Sequence, residues 1–445
     1  MTIEIREGSI IREIYTDGKK EYEILQAMKK RAGEMNVKIN ESVSEIIEAV
    51  REKGDEAVRS YGLQFDGAVP DVFEISRAEM EAAFENAEEA YKNALLRAKE
   101  NITAYHNLQI EKDYKLEKEN GVILGQIIRG LSRVGIYVPG GKAAYPSTVL
   151  MNAIPAKLAG VEEIIMITPP YIEKVQGQEP VCKANPDILA AAFLAGVDRV
   201  FLTGGAQAVA AVTYGTESIP RVDKIVGPGN IFVATAKKLL FGEVDIDMIA
   251  GPSEILIIAD EEANPRYIAA DLMSQAEHDE LASSILLTTS EILSKAVKEE
   301  LKSQLRTLDR KETIESSLKN FGAIVICKDM EEMINLANLI APEHLELMVE
   351  EPMQYLGQIK NAGSVFCGEY SPEPLGDYLS GTNHVLPTSG TARFFSPLGV
   401  YSFVKKMSYT YYTKEALQTD KEHIVTIADK EGLDAHANSI KVRFE

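Results

Sequence analysis

From about residue 129 onward, short apolar runs alternate with Gly-rich turns and Ala-rich stretches of helical period. Residues 161–168 predict a strand ending in Pro169-Pro170. Residues 187–195 predict a helix and 198–203 a strand, after which Gly204-Gly205 opens a helix over 206–214. Residues 223–226 follow as a strand, and Gly227-Pro228-Gly229-Asn230 opens a helix over 231–240. The alternation resumes with a strand over 254–259, a helix over 265–278 and a strand over 284–288. Residues 322–327 and 363–366 predict two further strands. Short apolar strands alternating with helices imply parallel sheets covered on both faces. Two such blocks in series suggest two similar α/β domains. Roughly the first hundred residues are instead helical and highly charged, with residues 78–101 as a long Glu/Lys/Ala-rich helix. After about Phe394 the chain turns helical and polar again and ends in a short tail.

Length and charge narrow this picture. A chain of 445 residues exceeds one ordinary core. Its hydrophobic share of 45% and charged share of 26% suit a soluble globular protein. A formal net charge of -21 argues against a phosphate-backbone binder, so no nucleic-acid partner is expected. No apolar run reaches transmembrane length, so no membrane partner is expected either. The first seven residues mix charges and lack an apolar stretch, unlike a signal peptide. Cys182, Cys327 and Cys367 are far apart, two of them in strand-like runs, and read as buried, inert thiols in a reducing cytoplasm.

Four clusters carry candidate chemistry. In Ser274-Gln275-Ala276-Glu277-His278-Asp279, Gln275 and His278 are three apart and share a helix face. An amide oxygen and an imidazole at that spacing make half of a metal site, although the pair taken alone fits a solvated helix end better. In Ala341-Pro342-Glu343-His344-Leu345-Glu346, Pro342 stops the preceding helix. Glu343 and His344 then fall at a helix-to-strand junction, where an adjacent carboxylate and imidazole can share acid–base work. The plainer alternative is a capped turn with a satisfied histidine. The segment 376–384 reads as a long polar loop carrying Asp377 and His384. Glu431-Gly432-Leu433-Asp434-Ala435-His436 reads as a helix start with an exposed histidine. The turns at 134–141, 203–207 and 227–230 all end strands, where glycine lets backbone approach a phosphate. No G-x-G-x-x-G fingerprint is near them, and glycines that merely terminate strands remain the competing explanation.

Taken in order, these motifs resemble the histidinol dehydrogenase family over nearly the whole chain. They are Tyr137-Val138-Pro139-Gly140-Gly141, Gly205-Ala206-Gln207-Ala208, Gly227-Pro228-Gly229-Asn230, Ala250-Gly251-Pro252-Ser253-Glu254, Gln275-Ala276-Glu277-His278-Asp279, Pro342-Glu343-His344, the segment 376–384, and the segment 431–436. The resemblance implies two Rossmann-like parallel-sheet domains with helical extensions. Their expected bounds are 129–250 for an NAD-binding domain and 251–393 for a domain with metal and catalytic residues, between a helical region 1–128 and a helical tail 394–445. It implies one Zn²⁺ per subunit on Gln275, His278, Asp377 and His436, the last reaching in from the partner of a homodimer. It implies Glu343 and His344 as catalytic residues. Ser253, His384, Asp377 and Glu431 match substrate contacts, with the metal ligands and His344 alongside them; Tyr137, Gln207 and Asn230 match NAD contacts. The implied reaction is the cytoplasmic four-electron oxidation of L-histidinol to L-histidine with two NAD⁺, the last step of histidine biosynthesis. A metal-dependent hydrolase of a small imidazole or amine, or a catalytically silent paralogue, would be the alternatives.

Overall fold

The computed structural model describes residues 10–19, 37–140, 144–173 and 181–445. Gly141, the first seven residues and part of the charged N-terminal stretch therefore lie outside the described residues. In chain order the strands are β1 (Arg12–Tyr15), β2 (Glu74–Ile75), β3 (Tyr114–Glu117), β4 (Ile123–Gly130), β5 (Arg133–Tyr137) and β6 (Glu163–Thr168). They continue as β7 (Tyr171–Glu173), β8 (Val181–Lys183), β9 (Arg199–Leu202), β10 (Lys224–Val226), β11 (Asp245–Ile246) and β12 (Glu254–Ala259). The last are β13 (Ser283–Thr288), β14 (Ala323–Ile326), β15 (His344–Met348), β16 (Ser364–Cys367) and β17 (Val404–Tyr411).

Two six-stranded sheets form the body, ordered β11-β10-β5-β6-β9-β2 and β1-β14-β13-β12-β15-β16. Numbering β5, β6, β9, β10 and β11 as strands one to five gives the spatial order 3-2-1-4-5. Strands β12 to β16 give the same order, which is that of the doubly wound dinucleotide fold. All ten of these strands run parallel within their sheets. The α/β fold with two similar Rossmann-like sheets thus stands as read from the sequence.

The central strands have two buried faces, so their side chains alternate between two cores. Ile164 and Met166 enter one core, while Ile165 and Ile167 enter the other. In the second sheet Ile255 and Ile257 alternate in the same way with Leu256 and Ile258. Two-sided burial is why these strands are continuous apolar runs.

Several elements differ from expectation. Residues 78–101 are not one helix but parts of two, Arg77–Asn86 and Glu89–Asn107. Ala87 and Glu88 both adopt extended backbone at the break. Ala and Glu carry no stop signal, so composition cannot reveal it. The N-terminal part also supplies strands. β1 extends the second sheet beside β14, and β2 pairs antiparallel with β9 in the first. The C-terminal part is not wholly helical, because β17 pairs antiparallel with β4 over eight residues. That strand is mostly exposed and polar, and lacks the apolar run that marks buried strands. The helices Lys414–Lys430 and Asp434–Lys441 follow it and bury Val425, Ala428 and Ala437 between them. The cysteines are all free, but only Cys327 is buried; Cys182 and Cys367 are half-buried because they lie in a short hairpin strand and an edge strand. Among the described residues, no helix is long and apolar enough to cross a membrane.

Candidate active site

A cleft of about 320 Å³ lies between the two sheets. The first sheet contributes the carboxyl ends of its strands: Pro139 follows β5, Gly227 to Asn230 follow β10, and Asp247 follows β11. The second sheet contributes amino ends instead. Ser253 precedes β12, and Glu343 and His344 stand at the start of β15. Gln275 and His278 come from the end of the helix Pro265–Ala276, and Glu373 and Asp377 from the helix Glu373–Tyr378.

The Glu343-His344 pair sits where the sequence placed it. The helix Met330–Ile340 stops at Ala341, whose φ of 54° breaks the helical path. The pair then enters β15 next to β12, and the backbone of Glu254 holds both side chains. Its N–H donates to Glu343 Oε2 at 2.8 Å, and its carbonyl accepts from His344 Nδ1 at 2.9 Å. That bond places the ring proton on Nδ1 and leaves Nε2 as an acceptor. Nε2 lies 3.6 Å from Glu373 Oε1. Burial, as the largest cause, pushes the His344 pKa down to about 4, against the opposing pull of Asp377 and the Glu254 carbonyl. His344 is therefore a neutral imidazole near pH 7, the form that accepts a proton.

Gln275 and His278 both line the cleft, but the helix carrying them ends at Ala276 rather than at residue 278. Glu277 keeps helical backbone angles, and the His278 N–H still donates to the Gln275 carbonyl at 3.3 Å. The shared face is preserved. Gln275 is 1% exposed, and its Oε1 has no hydrogen-bond partner among the described residues. A buried amide oxygen left open beside an imidazole suits a cation. Asp377 is on a short helix, not in a loop, although residues 379–384 are irregular. His384 Nδ1 is 3.1 Å from the Asp377 carbonyl, and its Nε2 is 3.4 Å from Thr148 Oγ1. Burial lowers the His384 pKa.

The sequence reading missed carboxyl groups in the cleft and beneath it. Glu373 is 2% exposed, and burial together with Asp377, Glu343 and Glu346 pushes its pKa up to about 10. Glu346 accepts the Glu373 N–H at 2.8 Å and is itself raised, by burial and by Asp271. Asp271 is raised by burial to about 7. His344, Glu373 and Asp377 offer ligand atoms within 4.8 Å of one another. The signal available was the four-residue spacing of Glu373 and Asp377, which aligns them once the segment is read as helical.

Not every expected residue reaches the cleft. Asn230 does, and its side chain also caps its own helix by accepting from the N–H groups of Phe232 and Val233. Tyr137 and Gln207 are buried behind the wall, with the Tyr137 hydroxyl accepting the Gly205 N–H at 3.1 Å. Gln207 Oε1 and Thr168 Oγ1 have no partner among the described residues. Open polar atoms near the strand ends suit a polar ligand. Glu431 and His436 are exposed on the C-terminal helical pair and do not line the cleft of their own chain.

Known proteins resemble this one over almost its full length. A protein from Clostridium acetobutylicum described as histidinol dehydrogenase is 55% identical over 436 residues, covering 98% of this chain and 99% of its own. One from Lactococcus lactis, described the same way, is 54% identical, covering 98% and 100%. The crystal structure of histidinol dehydrogenase from Elizabethkingia anophelis superposes with a TM-score of 0.90 at 37% identity, covering 98% and 99%. The histidinol dehydrogenase family profile matches residues 29–444. With its paired Rossmann-like sheets and the cleft between them, the chain belongs to the histidinol dehydrogenase family of NAD-dependent oxidoreductases.

Proposed function

We propose that this protein oxidises L-histidinol to L-histidine through an enzyme-held aldehyde, with two NAD⁺ used in sequence and one Zn²⁺ per subunit, in the cytoplasm. The observation that carries the reading is the Glu343-His344 pair, pinned by one backbone residue and facing a wall of glycine turns. When bound, NAD⁺ supplies the hydride acceptor for both oxidations, and Zn²⁺ supplies a fixed positive charge that grips the imidazole and amine of the substrate. Gln275, His278 and Asp377 would hold the metal, with His436 of the partner subunit as the fourth ligand. The exposure of His436 away from its own cleft supports that assignment.

His344 Nε2 takes the hydroxyl proton in the first oxidation. Water then adds to the aldehyde, activated by Glu343, and His344 relays protons. The resulting gem-diol is oxidised to the carboxylate. Ser253, His384, Asp377 and Glu431 orient the substrate. Asn230, Tyr137 and Gln207 serve the cofactor on the opposite wall. The test is NADH formed per histidinol consumed by the metal-loaded protein. Two NADH, abolished by a chelator and restored by Zn²⁺, is the expected result. One NADH would reduce the reaction to a simple alcohol oxidation, and none from a metal-replete dimer would overturn the reading.

A further inference from the structure

Lys237 and Asp247 form a buried ion pair in the wall that carries the glycine turns, and the proton chemistry of Glu343 and His344 makes no use of it. Their side chains are 3% and 1% exposed. Lys237 lies in the helix Ile231–Leu240, and Asp247 directly follows β11. The Lys237 ammonium donates to Asp247 Oδ1 and, at 3.0 Å, to the Gly227 carbonyl. Asp247 Oδ2 accepts the Gly227 N–H at 2.8 Å, and Oδ1 also accepts the Met248 N–H at 2.6 Å. One ion pair thus holds both backbone polar groups of Gly227.

The held residue is one that only glycine fits. Gly227 has φ +103°, and a Cβ there would lie 2.2 Å from the Tyr137 carbonyl oxygen. It rests on the end of β5, and the Tyr137 hydroxyl in turn takes the Gly205 N–H. The turns after β9 and β10 are therefore tied together through Tyr137, with the ion pair at one end of the chain of contacts. Gly227, Pro228 and Gly229 have no polar side chains with which to fix themselves. Directional bonds from a buried charge pair do that, whereas an apolar pair of the same volume would not. Asp247 neutralises Lys237, so the lysine acts through the turn rather than as a free charge for a phosphate.

We propose that Lys237 and Asp247 are positioning residues that preset the turn from Gly227 to Asn230 for a dinucleotide cofactor. The proposal rests on the reading of that turn as the cofactor wall. Its test is NAD⁺ affinity by calorimetry, with steady-state kinetics, on the metal-loaded wild type, Lys237→Arg, and the double variant Lys237→Met/Asp247→Asn. The double variant removes both charges, so no unpaired charge is left buried. Its expected signature is an NAD⁺ KM and Kd raised about tenfold, with kcat and histidinol KM within about twofold and metal content unchanged. Lys237→Arg keeps the charge and recovers most of the affinity. A folded double variant that binds NAD⁺ like the wild type overturns the clamp alone. Loss of kcat and of both affinities together, with a lowered melting temperature and no recovery in Lys237→Arg, also overturns it, since a merely structural pair behaves that way. A wild type that does not bind NAD⁺ overturns the cofactor reading and the clamp with it.

Discussion

The two sheets share strand order and two-sided burial, yet they present opposite ends to the cleft. The first presents carboxyl ends and the start of the helix Ile231–Leu240, capped by Asn230. The second presents amino ends and the last turn of the helix Pro265–Ala276. Helix starts carry partial positive charge and helix ends partial negative charge. One wall therefore favours an anion and is built of backbone. The other favours a cation and is built of titratable side chains, with Glu343, His344, Glu373 and Asp377 gathered in it. A duplicated architecture becomes two chemically distinct half-sites by facing opposite edges of its sheets to one cleft. The rule that ligands sit at carboxyl ends describes the first sheet and not the second.

The largest expected effect is on the side-chain wall. His344→Asn should lower kcat by about 10²–10⁴-fold, the usual worth of a positioned base, while metal content and melting temperature stay near wild type. Near wild-type turnover would remove His344 from the base role. On the backbone wall, Gly227→Ala should push the turn away from Tyr137 at a cost of about 1–3 kcal/mol, because the site combines a positive φ with a backbone collision. Thermal melting and the NAD⁺ KM should both register it, with metal content unchanged. If metal is lost instead, the two walls are not separable.

His436→Ala tests the proposal that a partner subunit completes the side-chain wall. Metal retention after dialysis should fall about tenfold or more, with NAD⁺ affinity intact. Full retention would defeat the ligand assignment. The smallest effect should come from the carboxyl pair beneath that wall. The folded protein raises the pKa of Glu346, so folding takes up a proton above the ordinary carboxylate range. Stability from this group is then lost as pH rises, with Asp271 adding its own loss between the ordinary carboxylate range and about pH 7. Glu346→Gln in metal-free protein should lose less stability than wild type as pH rises from about 5.5 to about 8.5. Denaturant unfolding at the two values measures the difference, and a pH-independent offset would contradict the assignment.

Much of this was legible in the chain. The continuous apolar runs gave the parallel strands because burial on both faces leaves no polar period to read. Pro342 marked the junction that delivers Glu343 and His344, and the pairing of Gln275 with His278 survived even though the helix ends two residues early. Asp377 was read in a loop because Gly376 and Ser380 masked a single helical turn. Glu373, Glu346 and Asp271 went unnoticed because isolated carboxylates in sequence ordinarily belong to the surface. Only a fold that stacks them beneath His344 makes them unusual.

The sequence by itself determined what repeats locally: the two α/β blocks, the strand-end glycines, and the residues able to handle protons or hold a metal. The tertiary structure decided how those pieces meet. Strands β1 and β2 join sheets whose other strands lie far along the chain, and β17 pairs with β4 across nearly three hundred residues. Such pairings rest on hydrogen bonds between backbones, which are alike for every residue and leave no mark in a local pattern. The ion pair at Lys237 and the shared hold of Glu254 on Glu343 and His344 have the same origin. Each depends on which backbone groups come to lie beside which side chains, and that is fixed only when each sheet assembles, with β10 beside β11 for the ion pair and β12 beside β15 for Glu254.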